Sequence, residues 1–322
     1  MVFKGKRNGM AIMVTGGNGF VGKQVLRELV RRGEIPISYD IEPPAEDMSD
    51  LLSAVRFVQG DVLNIAEVLQ AIKRHDINQI IHLVSLLTVA SQEDPANAHR
   101  VNVAGMVNIL EAARLMDIRR IAYSSSLAVY GKTEENPITE DTRKEPISFY
   151  GATKLFCEHL GITYRQRFGI DFVAVRWPVV WGPGRGKRSG KPMAYGAGKF
   201  SDIIEKPARG ESVTVQGGSQ RYELIYVKDA ALSIVLALFE EGLKHFVFNA
   251  GTESTISLQE LAEIIKRYLP QAVIRIEEGC DYAVPTRSWL DSSRSKIELG
   301  FQPRFSVEHG VEDYLAYLGI EP

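Results

Sequence analysis

The sequence lacks several features that mark particular classes of protein. It has only two cysteines, Cys157 and Cys280, and neither lies in a CxxC or a Cys/His cluster, so the spacing predicts neither a disulfide framework nor a zinc site. No run of about 18 apolar residues occurs, and the basic segment 1–10 is not followed by the apolar stretch of a signal peptide. We therefore expect a protein of a reducing compartment, with the cytoplasm as the default.

An excess of charge of one sign is also missing. The 38 Lys and Arg residues nearly balance the 40 Asp and Glu residues, and a net charge of −2 gives no reason to expect nucleic acid or an anionic membrane as a partner. None of the six histidines has an HxxxH or HExxH spacing, so we expect no metal site. The 322 residues, 45% of them hydrophobic, suffice for one large α/β domain or for two domains that share a cleft.

The first half of the chain alternates short apolar runs with longer segments of helical period. This pattern predicts a Rossmann-type, doubly wound α/β fold, in which helices cover both faces of a parallel sheet. The predicted strands are Ala11 to Thr15, Pro36 to Asp40, Val55 to Gln59, Gln79 to Val84, Arg120 to Ser124 and Phe172 to Arg176. The predicted helices of this half are Phe20 to Arg32, Asn64 to Arg74, Pro95 to Met116 and Phe149 to Phe168.

The sequence pattern changes after Arg176. Gly182 to Gly198 contains six glycines and two prolines, and its apolar residues have no helical or strand period. This loop predicts the entry to a smaller, substrate-binding lobe. Further helices are predicted at Val227 to Phe239, Ser257 to Leu269 and Val307 to Leu318. We expect residues 1–176 to form the nucleotide-binding domain, with 221–252 returning to it. The lobe would then comprise 177–220 and 253–322.

A glycine-rich turn, MVTGGNGFVG, lies directly after the first predicted strand and before the first predicted helix. Its glycines are Gly16, Gly17, Gly19 and Gly22. Glycine allows a tight turn and lets backbone N–H groups approach a diphosphate at the positive end of the following helix. The context therefore favours a dinucleotide site over a plain strand-to-helix turn.

An acidic residue, Asp40, ends the second predicted strand 18 residues beyond Gly22. A carboxylate there would accept hydrogen bonds from ribose hydroxyls and would repel a 2′-phosphate, so the sequence favours NAD over NADP. The alternative is that Asp40 is a solvated residue that opens the polar loop after the strand.

Tyr150 and Lys154 form the pattern YGATK near the start of a predicted helix. Their i,i+4 spacing puts both side chains on one helix face, where an ammonium group would lower the phenol pKa and make Tyr150 a general acid/base. Ser125 and Ser126 follow the fifth predicted strand, at the edge of a parallel sheet where ligands bind. The alternatives are a surface Tyr/Lys pair and a serine-rich turn.

With these residues the chain resembles the extended short-chain dehydrogenases/reductases of the NAD-dependent epimerase/dehydratase group, which include UDP-glucose 4-epimerase-like proteins. The resemblance spans nearly the whole chain. Its segments are TGGNGFVG, GDV at 60–62, IIHLVS at 80–85, VNVAGMVNILEAA at 101–113, SSSLAVYG at 124–131, YGATK, IYVKDAA at 225–231 and LGF at 299–301.

The resemblance implies roles for individual residues. Ser126 would orient the substrate hydroxyl, Tyr150 would transfer its proton, and Lys154 would also hold the nicotinamide ribose as hydride passes to nicotinamide. Asp61 and Val62 would line the adenine pocket, 83–85 would contact ribose and phosphate, and Asn102 would support the catalytic residues. The cofactor contacts expected in all are Gly16, Gly19, Phe20, Val21, Gly22, Asp40, Asp61, Val62, Leu83, Val84, Ser85, Asn102, Ser124, Tyr150, Lys154 and Pro178.

Two departures bear on the reaction and the substrate. Relatives that eliminate water or decarboxylate carry an acidic residue just after the catalytic-strand serine or threonine, whereas this chain has Leu127 and Ala128, so dehydration and decarboxylation are disfavoured. Sugar-nucleotide enzymes of the group place an asparagine near the substrate diphosphate, and the corresponding residue here is Val179.

Arg221 and Arg287 match positions where the group places arginines on the diphosphate, a role that suits guanidinium. The alternative for both is ion pairing, with Asp229 or Asp291 as partners. The substrate contacts expected from the sequence are Ser126, Val179, Arg221 and Arg287.

Other features have open interpretations. The basic loop 184–199 carries Arg185, Lys187, Arg188, Lys191 and Lys199 and is either a lid over an anionic substrate or a solvated loop. Trp177 and Trp181 wall either the cleft or the core, whereas His82 and Cys157 are predicted to be packed residues.

The sequence leads us to expect an NAD-dependent epimerase of a nucleotide-activated sugar, acting through transient hydride transfer and a keto intermediate. The alternatives are an NAD-dependent dehydrogenase or reductase of a sugar acid, polyol or other small hydroxy compound, and a non-catalytic NAD-sensing or scaffold protein. By analogy with the group, helices 95–116 and 149–168 would form a homodimer interface.

Overall fold

The computed structural model describes residues 11–185, 198–280 and 288–321. The strands are β1 (Ala11–Thr15), β2 (Ile37–Asp40), β3 (Arg56–Gln59), β4 (Ile77–His82), β5 (Arg120–Ser126), β6 (Asp171–Trp177), β7 (Val179–Trp181), β8 (Val213–Gln216), β9 (Arg221–Tyr222), β10 (Leu224–Tyr226), β11 (Val247–Asn249), β12 (Ile256–Ser257) and β13 (Ile274–Glu277). The α-helices are α1 (Phe20–Arg31), α2 (Ile65–His75), α3 (Thr88–Glu93), α4 (Pro95–Ala98), α5 (Gly105–Leu115), α6 (Phe149–Phe168), α7 (Lys199–Ala208), α8 (Val227–Phe239), α9 (Leu258–Tyr268), α10 (Ser293–Leu299) and α11 (Val307–Tyr317).

A seven-stranded sheet forms the centre of the molecule, in the order β11-β6-β5-β4-β1-β2-β3. All of its strands pair in parallel, so their carboxyl ends lie along one edge. Helices α1 and α8 contribute to the core on one face, and α2, α5 and α6 to the core on the other. The predicted Rossmann-type fold is confirmed.

The strands form where β-branched and apolar residues are buried on both sides. All seven residues of β5 are buried, and so are six of the seven in β6, because helices cover both faces of the sheet at this position. The covering helices carry apolar residues at helical spacing, such as Val25, Leu26 and Leu29 of α1, which are fully buried.

The structure differs from the sequence predictions at several element boundaries. β4 ends at His82 rather than Val84, which leaves 83–85 beyond the end of the strand, and β5 continues to Ser126. The predicted helix 95–116 is divided into α4, a π-helical segment His99–Ala104 and α5. Strand β11 has only three residues, too few to show a recognisable period in the sequence.

A second core lies among the later elements. It combines residues of α7, α9 and α11 with residues of the short strands β8, β9 and β10, and it buries Trp181, Phe200 and Tyr314. Strand β11 returns to the edge of the large sheet, so the chain contributes to this second core both before and after β11. Where the lobe boundary falls stays a prediction. None of the helices in the described ranges is both long enough and apolar enough to span a membrane.

Candidate active site

The glycine turn between β1 and α1 brings backbone groups together more closely than any side chain would allow. Gly16 has a φ of +73°, and its N–H donates to the Tyr39 carbonyl at 2.9 Å. A Cβ on Gly22 would lie 2.2 Å from the Gly16 carbonyl oxygen, so a side chain there would break the turn. Helix α1 begins at Phe20 with Gly19 as N-cap, without a side-chain cap or an acidic residue in its first turn. Its first N–H groups therefore remain available to an anion.

Asp40 is the last residue of β2 and lies beside this turn. Its carboxylate accepts hydrogen bonds from the backbone N–H groups of Asn18 and Glu42, both at 3.1 Å. The residue is 4% exposed, so the alternative of a solvated loop residue is wrong. Asn18 in turn accepts a hydrogen bond from the Ser38 hydroxyl, which fixes the turn against β2.

Hydrogen bonds connect residues 61–62, which follow β3, to strand β2 and to helix α5. The Tyr39 hydroxyl donates to the Asp61 carbonyl at 3.2 Å, and Asn108 of α5 donates to the carbonyl of the buried Val62. Asp61 accepts from the Leu63 N–H through its side chain. These contacts hold 61–62 next to the end of β2, where an adenine pocket is predicted.

The structure brings the three predicted catalytic residues together. Ser126 ends β5, and the Tyr150 hydroxyl, on the first turn of α6, lies beside the hydroxyls of Ser126 and Ser85. Lys154 lies one turn further along α6, where its Nζ is 5.6 Å from the centre of the Tyr150 ring and donates to the Ser124 carbonyl at 2.6 Å. The sequence placed Ser85 with the cofactor ribose, whereas the structure also puts it against Tyr150.

The expected lowering of the Tyr150 pKa by Lys154 is wrong for this structure. Burial raises the pKa of Tyr150 to about 12, although the Ser126 and Ser85 hydroxyls and the charge of Arg185 oppose the rise. Burial also lowers the pKa of Lys154 to about 8, because the ammonium group is removed from water. Its hydrogen bond to Ser124 directs the ammonium group to the backbone of β5.

Asn102 lies in the π-helical segment and ties three parts of the site together. Its side chain accepts from the Leu86 N–H at 2.7 Å and donates to the Leu86 carbonyl and to Thr153 of α6. The segment after β4 is thereby held against the helix that carries Tyr150. π-Helical segments of this kind occur often at functional sites. The hydrogen bonds of Asn102 are consistent with its predicted role in supporting the catalytic residues.

A buried ion pair fixes α6 to the sheet behind the catalytic residues. Arg176 of β6 donates twice to Glu158 of α6, at 2.8 and 2.6 Å, and both side chains are at most 4% exposed. Ser125 also donates to Glu158, and Arg176 donates to the Tyr130 hydroxyl at 2.7 Å. Glu158 lies one turn after Lys154, so the ion pair sets how α6 sits on β5 and β6. The spacing in the sequence gave no signal for it.

The core contains His82, predicted to be packed, and the two tryptophans whose interpretation the sequence left open. His82 is fully buried, with its Nδ1 2.7 Å from the Thr15 hydroxyl, and burial lowers its pKa to about 3, so it stays neutral. Trp177 donates to Ser233 in the core beneath the sheet, and Trp181 is 1% exposed in the second core. The predicted packing of His82 and Cys157 is confirmed. In the described ranges, no group of three His, Cys, Asp or Glu side chains is arranged to hold a metal ion.

The predicted substrate residues have different surroundings. Val179 follows the buried Pro178 and is half-buried in β7, where it pairs with Leu224. Arg221 is exposed and pairs with Glu260 of α9 at 3.0 Å, not with Asp229 or Asp291. It also borders a surface groove of about 600 Å³ that Trp289 helps to line. Arg287 lies outside the described residues.

The basic loop is not a single structural unit. Lys199 begins α7 and is buried in the second core, where it donates to the Tyr222 hydroxyl at 2.8 Å, so both interpretations of this residue, lid and solvated loop, are wrong. Arg185 stacks on Phe20, with 4.9 Å between Cζ and the ring centre. Lys187, Arg188 and Lys191 lie outside the described residues.

The geometry fits a dinucleotide. The uncapped helix after the glycine turn suits a diphosphate, Asp40 lies where an adenosine ribose would reach the end of β2, and Tyr150 and Lys154 lie at the carboxyl end of β5. When bound, NAD supplies a hydride acceptor at this edge of the sheet.

Comparison with known proteins agrees with this geometry. The model of the NAD dependent epimerase/dehydratase family matches residues 12–251. The chain belongs to this family. It is therefore an NAD-dependent enzyme of the extended short-chain dehydrogenase/reductase type, and its cofactor is NAD.

Individual relatives extend the comparison. A putative UDP-glucose 4-epimerase of Methanocaldococcus jannaschii is 30% identical over 94% of this chain and 96% of its own. A UDP-glucose 4-epimerase of Thermotoga maritima, solved with UDP-glucose, has a TM-score of 0.85 at 25% identity, over 96% of this chain and 99% of that one. An L-threonine dehydrogenase of Clostridium difficile has a TM-score of 0.83 at 26% identity, over 98% of this chain and 100% of that one.

Proposed function

We propose that this family member is an epimerase of a nucleotide-activated sugar. The observation that carries the proposal is the meeting of Ser126, Tyr150 and Lys154 at the end of β5, next to the glycine turn. The similar UDP-glucose 4-epimerases of M. jannaschii and T. maritima support the substrate class. We propose that the other residues predicted from the sequence to contact the cofactor or the substrate do make those contacts.

The residues of this chain would act on one carbinol carbon of the sugar. Ser126 would orient the hydroxyl and Tyr150 would take its proton, while bound NAD would supply the acceptor for the hydride of the same carbon, which would become a ketone. Return of the hydride to the opposite face of the ketone, with Tyr150 giving the proton back, would invert the stereocentre without net oxidation. Lys154 would hold the nicotinamide ribose.

The two proposed lobes would separate these tasks. Residues 1–176 with 221–252 would hold the cofactor, and residues 177–220 and 253–322 would hold the nucleotide part of the substrate. We propose that the enzyme works in the cytoplasm. We further propose a homodimer formed through α5 and α6, because Leu115 and Phe156 on these helices are 52% and 53% exposed.

A second function has specific support. Val179 replaces the asparagine expected near a substrate diphosphate, and Arg221 is engaged with Glu260. The similarity to an L-threonine dehydrogenase is consistent with a dehydrogenase of a small hydroxy compound. Such an enzyme must release NADH after each turnover, whereas an epimerase regenerates NAD in place.

The experiment that separates the two begins with the purified protein, denatured to release and identify any bound cofactor. The native protein is then incubated with UDP-glucose, UDP-galactose and UDP-glucuronic acid and, separately, with threonine, sugar acids and polyols in added NAD. Formation of the epimeric UDP-sugar without accumulation of NADH supports the epimerase. Stoichiometric NADH from a hydroxy compound, with every UDP-sugar unchanged, supports the dehydrogenase and contradicts the epimerase.

A further inference from the structure

The chain segment that leaves β7 lies directly against the start of α1. Gly184 has a φ of +84°, and a Cβ there would lie 3.1 Å from the Lys23 Nζ and 3.2 Å from an Asp47 carboxylate oxygen. A larger residue would therefore be strained and would push the segment away from the helix. The next residue, Arg185, is thus delivered to the first turn of α1, beside the glycine turn.

The guanidinium of Arg185 is held at this place by apolar and backbone contacts. It stacks on the ring of Phe20, the first residue of α1, and its Nη1 donates to the Val180 carbonyl. Its Nε is buried and has no hydrogen-bond partner among the described residues. Burial lowers the pKa of Arg185 to about 10, so the side chain still carries its charge at neutral pH. A buried, charged donor without a partner is costly unless a ligand completes it.

Neighbouring cations are already paired, which distinguishes Arg185 from them. Lys23 and Arg27 both lie on helix α1, where Lys23 pairs with Asp47 and Arg27 pairs with Asp50. Among the described residues no carboxylate pairs with Arg185. The uncapped N-terminus of α1 and this guanidinium are therefore two positive groups that lie close together.

We propose that Arg185 binds the diphosphate of NAD together with the backbone N–H groups of the glycine turn. Guanidinium suits this ligand because its N–H donors match the spacing of phosphate oxygens. A residue beyond β7 would then complete a cofactor site that otherwise comes from the first half of the chain, and binding of NAD would fix this segment on α1. The inference rests on the NAD-dependent function and is independent of which sugar or hydroxy compound reacts.

Calorimetric titration of the full chain, stripped of cofactor, tests the proposal directly. Wild type and Arg185→Gln are titrated with NAD, ADP-ribose, ADP and adenosine. We expect Arg185→Gln to weaken NAD, ADP-ribose and ADP by a similar factor, about 10- to 100-fold, because one charge-assisted contact is lost. Adenosine, which has no phosphate, should bind both proteins equally.

Two further variants make the result specific. Arg185→Lys keeps the charge but not the fork of donors, so it should bind NAD with intermediate affinity and serves if the Gln variant does not fold. Arg27→Gln removes an arginine of the same helix that is already paired with Asp50, and it should bind NAD as wild type does.

Other outcomes would overturn the proposal. Equal affinity of wild type and both Arg185 variants for NAD and ADP would do so. A raised KM for the substrate with unchanged NAD affinity would assign Arg185 to the substrate instead. A wild type that binds none of the phosphorylated ligands would contradict the NAD-dependent function itself, and this proposal with it.

Discussion

At the scale of single residues, burial sets the protonation of the catalytic pair. It moves the pKa of Tyr150 and the pKa of Lys154 in opposite directions, to about 12 and about 8, because each group loses hydration of its charged form. In water, a phenol and an ammonium group have nearly equal pKa values, so burial has separated the two. Neutral Tyr150 is therefore the form that the folded protein favours, and the ionised form must be supported by Ser126, Ser85 and nearby cations.

Replacing Tyr150 with Phe should lower kcat by at least about 100-fold, because the proton-transfer group is lost. The dissociation constant for NAD should change less than about threefold, since the ring remains. Steady-state kinetics and a cofactor titration measure the two effects separately. Tyr164→Phe, on the same helix but with its hydroxyl bonded to Glu111, is the matched control and should keep wild-type kcat. Full activity of the Tyr150 variant would exclude the proposed role.

The low pKa of Lys154 predicts how stability changes with pH. Between about pH 8 and 10.5 the unfolded chain binds a proton at Lys154 that the folded protein does not, so raising the pH through this window stabilises the fold. The gain is at most about 3 kcal/mol. Lys154→Met lacks this contribution, so the difference in unfolding free energy between variant and wild type should change across the window. Urea unfolding at pH 7.5 and pH 10 measures it, and parallel curves for the two proteins would contradict the expectation.

At the scale of elements, the Arg176–Glu158 ion pair joins the catalytic helix α6 to strand β6. Both partners are buried, so leaving one alone places an uncompensated charge in the core. The pair also lies one helical turn from Lys154, which means that a shift of α6 would move both catalytic side chains relative to Ser126.

Glu158→Gln should therefore destabilise the protein by about 3–5 kcal/mol and lower kcat. The double variant Glu158→Leu with Arg176→Met, which removes both charges, should recover most of the unfolding free energy. Denaturant unfolding of wild type, the single variants Glu158→Leu and Arg176→Met, and the double variant forms a double-mutant cycle. Glu111→Gln, which breaks the exposed pair with Arg114, is the control and should cost less than about 1 kcal/mol. A double variant that is less stable than both single variants would refute this account.

At the scale of the whole molecule, exposed apolar side chains on α6 and α5 set the expected assembly. Phe156 is 53% exposed in the middle of α6, and Phe168 and Leu115 are each 52% exposed near the ends of the two helices. A neighbouring subunit would remove this surface from water, and a stable interface requires about 1,200–2,000 Å² in total.

Sedimentation velocity at micromolar concentration should therefore show a dimer for wild type. Phe156→Glu should shift the population to monomer, because a carboxylate would have to be buried in the interface. Ile297→Glu, at an 83% exposed position on α10, is the matched control and should remain dimeric. A wild-type monomer, or a dimer that both variants retain, would contradict the proposed interface.

Most of the fold could be predicted because the apolar residues of each strand and helix in the first half have the spacing typical of that element. Helix α6 begins and ends at the predicted residues, Phe149 and Phe168. The meeting of Ser126, Tyr150 and Lys154 was implied by the family resemblance, and the i,i+4 spacing of Tyr150 and Lys154 already placed these two residues on one helix face. The Arg176–Glu158 pair, the burial of Lys199 and the stacking of Arg185 on Phe20 could not, because each depends on packing between segments whose separate sequences carry no trace of the contact.

The return of β11 to the sheet has a consequence for synthesis on the ribosome. The outer edge of β6 receives its partner only when Val247–Asn249 has emerged, about 70 residues after β6 ends at Trp177. At ordinary elongation rates this delay is roughly 4–14 s. During that interval a nascent chain presents an unpaired, apolar strand edge, the kind of surface to which chaperones bind and from which aggregation begins.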